Sequence, residues 1–379
     1  MNKTYLLAGL GAALITLAAP GVGQAQDTIK IGASVGMTGY AAAIDRSWKD
    51  GAEVAVEYIN SKGGVLGKKL ELIAEDNKSE PQEAVTVYRK MISSDKVSVF
   101  VSGCVSAGNF AAAQHVVRAK IPMVLCSILP RNADEVTWAV SLLPPPKFET
   151  ERRFSYLQKK TQIRKIGILH DPTPYANLQK GIAEKVAKDF DLEIVGVEQY
   201  KQDDADLSPQ ISKLTAAGAG AILKIGIGGS TVTAAKNVKQ LGQKIILMGG
   251  AEDMAVNTPA GEALGDQFIF AAAPAQVYEQ LGDGPIKKEI GNFLTLWKAK
   301  HGTRDPYWGG KGWDGVMVAV AAITAAKDVD GEKVRAELEK ISNFTGTGAI
   351  YTFSADNHIG VRENPFFIGT IAGGKVTVK

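Results

Sequence analysis

The chain has 379 residues, more than one ordinary core needs and enough for two. Hydrophobic residues make up 45% and charged residues 22%, the balance of a folded globular protein, which excludes a disordered chain. A formal net charge of +3, with no basic tract of five residues, gives neither nucleic acid nor an anionic membrane surface an electrostatic footing.

Residues 1–25 read as a secretory signal. Lys3 gives a positive start, residues 6–19 are apolar and uncharged, and Gly23-Gln24-Ala25 offers small residues where a signal peptidase cuts. The apolar core falls short of the ~20 residues that a bilayer span needs. No cysteine follows the cut at once, so no lipid anchor is expected. The mature chain is expected free in the periplasm of a two-membrane bacterium.

Residues 28–64 form the first strand–helix unit. Ile29, Ile31 and Ala33 make a short apolar run, and Gly36 and Gly39 loosen the loop that follows. Trp48, Ala52, Ala55 and Ile59 share one helix face, and Gly63-Gly64 stops the helix. Strands at 70–75, 97–101 and 121–125 then alternate with helices at 81–92 and 106–117. Residues 128–148 carry Pro130, Pro144, Pro145 and Pro146, which disfavour helix and central strand alike, and read as the approach to a crossover.

A second alternating series follows. Helices are expected at 154–160, 175–190, 207–217 and 231–241, with strands at 166–169, 192–197, 221–227, 245–248 and 268–273. Helices at 286–301, 312–327 and 332–341 come without strands between them and are expected to cover a sheet already built. Strand-like runs close the chain at 349–353, 366–371 and 376–378. The pattern predicts an α/β fold: two Rossmann-like lobes with parallel central sheets, joined by three hinge crossovers. Lobe I takes residues 26–147 and 275–350; lobe II takes 148–274 and 351–379. The cleft between them is the expected ligand site.

Enzyme motifs are missing from the sequence. Gly226-Ile227-Gly228-Gly229 follows a strand and precedes a helix, but Thr231 stands where a dinucleotide fingerprint needs its third glycine. His115, His170, His301 and His358 are scattered, with no metal-ligand spacing, and His170-Asp171 reads as structural. No Gly-x-Ser-x-Gly elbow is present. No cofactor, metal or catalytic residue is expected.

Hydroxyls instead recur at strand ends: Ser34, Thr38, Ser102, Ser106 and Ser127. Ser106 begins a helix, where free N–H groups and the dipole favour an anion, or where it caps the helix. Tyr40 and Tyr175 lie in strand-end loops and can cover an apolar body or pack on the rim. Cys104 and Cys126 follow adjacent apolar runs. They are a possible bridge in an oxidising compartment, but strand-end loops diverge, and two buried free thiols are the expectation.

The series IKIGASVGMTG, INSKGGVLGKKLELIAEDNKSEPQEAV and VFVSGCVSAGNFAAA resembles the periplasmic branched-chain amino-acid-binding proteins, solute receptors of ABC importers with the type I periplasmic binding fold. Tyr175 after HDPTP and the closing FTGTGAIYTFSADNHIG carry the resemblance through the rest of the chain. It implies lobe closure over a small carboxylate, delivery to an inner-membrane ABC permease, and a monomer. It implies that Ser106 binds the carboxylate and that the loop at Cys126-Ser127 adds amides and a hydroxyl. Ile44 stands where leucine binders carry an aromatic, and Tyr40 and Tyr175 surround the ligand body. The acid that pairs with a ligand ammonium belongs near residues 248–253. Ala251 occupies its position, so an α-amino acid would have to use Glu252 or Asp253, and an acid without an ammonium needs neither. A sensory module signalling to a membrane partner would share this fold.

Overall fold

The computed structural model describes Met1 and residues 28–129 and 136–379. The signal reading and Pro130 lie outside them. The first sheet holds β1 (Ile29–Val35), β2 (Leu70–Asp76), β3 (Val99–Ser102), β4 (Met123–Leu125) and β5 (Ala139–Ser141). Its order is β2-β1-β3-β4-β5, and all pairs are parallel. Between them run α1 (Ala42–Ser61), α2 (Pro81–Lys90) and α3 (Ser106–Ala119).

The period of two explains how this sheet is covered on both faces. Val99, Val101, Val124 and Val140 point to the α1 side, into one apolar cluster with Trp48 and Ala52. Phe100, Met123, Leu125 and Ala139 point the other way, into a second cluster with Tyr88 of α2 and Val116 of α3.

α4 (Pro146–Lys160) opens the second half. Then come β6 (Lys165–His170), α5 (Pro174–Val186), β7 (Glu193–Gln199), α6 (Ser208–Ala216), β8 (Ala221–Ile225), α7 (Ser230–Gln240), β9 (Ile246–Gly249), α8 (Met254–Leu264) and β10 (Phe268–Ala272). After them α9 (Pro285–His301), α10 (Tyr307–Ala326) and α11 (Gly331–Leu338) return to the first sheet. Ile290, Trp297, Trp313 and Val316 share a cluster with Ile31 and Val101. The ribbon β11 (Phe344–Thr345) and β12 (Ile350–Tyr351) precedes β13 (Phe367–Ala372) and β14 (Lys375–Val378). These last two extend the second sheet, ordered β14-β13-β10-β9-β8-β6-β7, and are its antiparallel members. The links from β5 to α4, from β10 to α9 and from β12 to β13 connect the two sheets. The first and third run side by side, since Ser141 N–H donates to the His358 carbonyl at 2.8 Å and Gly360 N–H to the Ser141 carbonyl at 3.0 Å.

Several expectations need correction. The proline-rich stretch holds a strand, β5, and Pro146 begins α4 well before residue 154. Proline suits that first turn, where its missing N–H is no loss. The helix α8 was not foreseen; Pro259 lies inside it. Residues 349–353 add only the two-residue β12 to a ribbon, not a strand to a sheet. Cys104 and Cys126 are not free thiols: they form a disulfide, with Cα atoms 4.7 Å apart. β3 and β4 are paired through Ser102 and Leu125, and the two cysteines follow so closely that their loops have no length in which to diverge.

This bridge closes a loop across 22 residues. Chain entropy for such a loop gives about 3 kcal/mol. Reduction, or the double change Cys104→Ser and Cys126→Ser, should therefore lower the unfolding free energy by about that much. Denaturant melts with and without reductant measure it, and coincident curves would show that the bridge contributes nothing.

Candidate functional site

The carboxyl ends of the parallel strands in both sheets face one partly open cavity of about 50 Å³. Strand-end loops of open α/β sheets are the expected place for a ligand. The space is smaller than the ~150 Å³ that admits a benzene ring, so a ring or branched chain enters only if the walls part.

The first sheet supplies Tyr40 and Ile44 after β1, Cys104 and Ser106 after β3, and Cys126 after β4. The second supplies Tyr175, Lys224 and Glu252. Six of the seven side chains nominated from the sequence thus line one cavity: Tyr40, Ile44, Ser106, Cys126, Tyr175 and Glu252. Ser127 does not. Its hydroxyl accepts from Asn109 Nδ2 at 2.9 Å and donates to the Ile128 carbonyl at 3.1 Å, bracing α3 against the end of β4. One residue past Cys126, the side-chain alternation has turned it away.

Ser106 is the first residue of α3, and no side-chain hydrogen bond caps that helix. The N-cap position is held by Val105, which has no acceptor to offer, so the reading of Ser106 as a cap fails. Among the described residues the Ser106 hydroxyl has no protein partner. The helix therefore presents its first N–H groups and a hydroxyl to the cavity, the geometry that holds an anion.

The loop before α3 is fixed from behind. Asp45 is fully buried and accepts from Cys104 N–H and Gly36 N–H, each at 2.7 Å. Burial pushes its carboxyl up to about 6, against the pull of those two donors.

On the facing wall Glu252 lies 1% exposed. It accepts from Gly228 N–H at 2.6 Å and from the Thr231 hydroxyl at 2.5 Å. The glycine loop at 226–229 thus holds a carboxylate of this chain. Gly226 needs its hydrogen side chain: at φ +116° an added Cβ would stand 2.3 Å from Asp171 Oδ2. Burial pushes Glu252 above the ordinary carboxyl range, although Lys224, Thr231 and Gly228 pull it down. Lys224 Nζ stands 4.0 Å from Glu252 Oε1 and donates to the Gly226 carbonyl at 3.1 Å.

Glu149 of α4 also lines the cavity. It accepts from the Tyr175 hydroxyl at 3.0 Å and from Ala251 N–H at 3.2 Å. Arg153, one turn on and fully buried, lies 3.7 Å from it and donates to the Gly249 carbonyl at 2.9 Å. Burial, then the Glu149 charge, raises the Tyr175 phenol well above its ordinary value. Trp308, at the start of α10, completes the lining, with a buried indole N–H that has no partner among the described residues.

Sequence reasoning missed Glu149, Lys224 and Trp308. One signal was available: Lys224 is the lone charge in an apolar strand, AILKI, buried throughout. Glu149 lay just past the proline-rich stretch and ahead of the helix expected at 154–160, and Trp308 lay ahead of the expected helix start.

With this geometry in hand, comparison with known proteins is specific. A family model described as periplasmic binding protein matches residues 28–375. A leucine-, isoleucine-, valine-, threonine- and alanine-binding protein of Pseudomonas aeruginosa is 27% identical over 355 residues, covering 91% of each chain. An extracellular ligand-binding receptor from Rhodopseudomonas palustris HaA2 superposes with a TM-score of 0.85 at 20% identity, over 93% of this chain and 100% of that one. A solute-binding protein of an R. palustris ABC transporter, solved in complex with benzoate, gives a TM-score of 0.78 at 18% identity, over 93% of this chain and 95% of that one. The chain belongs to the periplasmic binding protein family, with the type I fold that its sequence resembled.

Proposed function

We propose that this chain is the solute receptor of an ABC importer of the branched-chain amino-acid type, and that it carries a small carboxylate with an apolar body. In this reading residues 1–25 direct export and are removed. Residues 26–147 with 275–350 move as one lobe against 148–274 with 351–379. Ligand bridges them, shifts the balance towards the closed form, and the closed monomer docks on an inner-membrane permease. No covalent chemistry follows; the chain binds and releases.

One observation carries the reading: the uncapped start of α3 offers Ser106 and its amides to a cavity shared by both sheets. Ile44, Tyr40 and Trp308 surround the space beside it with apolar surface. The named ligands of the two relatives, amino acids for one and benzoate for the other, are both carboxylates with a mostly apolar body.

A thermal-shift screen of amino, aromatic and aliphatic acids tests this. A ligand at 100 times its dissociation constant should stabilise the protein by about 2.7 kcal/mol. Ser106→Ala should weaken such a ligand about ten- to a hundredfold, the worth of one hydrogen bond to a charged group. Unchanged affinity would remove Ser106 from the carboxylate site.

A further inference from the structure

Each carboxylate on the cavity wall already has a cation of this chain beside it. Lys224 stands 4.0 Å from Glu252, and Arg153 stands 3.7 Å from Glu149. All four side chains are almost wholly buried, at 0%, 1%, 0% and 7% exposure in that order. The carboxylate oxygens have further donors: Gly228 N–H and Thr231 for Glu252, Tyr175 and Ala251 N–H for Glu149. Asp171, behind Lys224 and off the wall, has its oxygens taken by Thr173 and Gln202.

We infer that Lys224, with Arg153 in support, occupies the electrostatic role that a ligand ammonium would otherwise fill, so that the receptor selects apolar acids that lack an α-amino group. This rests on the carboxylate reading of the cleft. A deaminated acid brings one negative charge, and the start of α3 meets it. An α-amino acid brings an ammonium as well. To pair it, Glu252 would have to share its charge with a lysine already at hand, and the ammonium would give up its hydration for an incomplete shell of acceptors. Lys224 is not mobile enough to step aside. It sits on β8, its ammonium held by the Gly226 carbonyl and placed 5.5 Å over the Tyr200 ring. It is a specificity-determining residue, acting through Glu252.

The test compares ligands that differ only in the amino group: L-leucine with 4-methylpentanoate, and L-phenylalanine with 3-phenylpropanoate, each by calorimetric titration of the mature protein. In whichever pair binds, the deaminated member should be tighter by about a hundredfold or more, the scale of an unpaired buried charge. Lys224→Met keeps the length and removes the charge. It frees Glu252, and the preference should move towards the amino acid by at least about tenfold. Lys224→Met with Glu252→Gln removes both charges and should restore the preference for the acid, with melting curves confirming that the variants fold. Wild type taking the amino acid as well as its deaminated partner would overturn the inference, as would an unchanged ratio in folded Lys224→Met. The wild-type ratio decides by itself should the single variant not fold. If neither member of either pair binds wild type, the apolar-acid reading beneath the inference falls first and takes it along.

Discussion

Gly51→Ala should lower the unfolding free energy by about 2 kcal/mol or more, although the same exchange on an open helix face stabilises. α1 and α10 meet backbone to backbone. A Cβ on Gly51 would lie 1.8 Å from the Gly309 carbonyl oxygen, and one on Gly312 would lie 1.9 Å from the Trp48 carbonyl oxygen. No side-chain rotation relieves an overlap with a carbonyl, so the helices must move apart. That separation opens gaps around Trp48, Trp313 and Val316, which pack at full burial between the helices and the first sheet. Overpacking of this kind costs 1–3 kcal/mol and sometimes more, and here it must also cancel about 1 kcal/mol of helix propensity that alanine gains. Gly181, on α5, is the control: nothing lies within 4 Å of its added Cβ. Gly181→Ala should gain about 0.5–1 kcal/mol. Urea melts of the two variants should move in opposite directions, and a Gly51→Ala midpoint at or above wild type would show that the helices do not meet where the geometry puts them.

The same contact illustrates what could be read from sequence. The buried strands were legible because parallel strands covered on both faces are plain apolar runs: 97–101 and 121–125 fell on β3 and β4 with no tertiary information. The convergence of Tyr40, Ile44, Ser106, Cys126, Tyr175 and Glu252 on one cavity was legible for a related reason, since strand-end loops share one edge of each sheet. What stayed hidden depends on neighbours distant in sequence. β5 has three residues and exists because β4 pairs with it. α8 tolerates Pro259 because its buried face, with Val256, Ala260 and Leu264, is held against the second sheet. The disulfide turned on the register of β3 with β4, and the role of Lys224 on a carboxylate 28 positions away. The sequence GGKGWDG of residues 309–315 carried no periodic signal, yet its glycines set how closely α10 approaches α1.

Asp314→Ala, at the other end of that helix contact, should cost about 3–5 kcal/mol, the penalty for breaking a buried charge pair from one side. Asp314 is fully buried and accepts from Thr347 N–H at 2.8 Å, Gly348 N–H at 3.2 Å and the Tyr351 hydroxyl at 2.8 Å. Lys311, one turn before it, donates to the Leu142 carbonyl at 2.8 Å and to Tyr351 at 3.2 Å. The cluster ties α10 to the first link between the sheets, through Leu142, and to the chain ahead of the third, through Thr347 to Tyr351. Without the carboxylate, three buried donors lose their acceptor and the buried Lys311 ammonium loses its neighbouring opposite charge. Asp314→Asn keeps the shape and one acceptor oxygen, so its cost should be smaller, and it gives a sharper readout in pH. Burial raises Asp314 from 3.8 to about 6 and lowers Lys311 from 10.5 to about 8. For the acid, the folded value lies above the unfolded one. Its stabilising contribution is complete below about pH 4 and is lost as pH rises through 6, a span of about 3 kcal/mol. For the lysine the contribution is complete above its ordinary value and is lost as pH falls through 8, outside this window. Asp45 and Asp253 are raised as well and add slope of the same sign. The wild-type curve therefore mixes several acids, and only its difference from Asp314→Asn isolates this one. That difference should shift by about 2–3 kcal/mol between pH 4.5 and pH 7, with the variant losing least at pH 7, where the wild-type carboxylate is charged and costly. A difference that stays constant across the window would mean that Asp314 is ionised throughout, held by its three donors and Lys311 against the pull of burial.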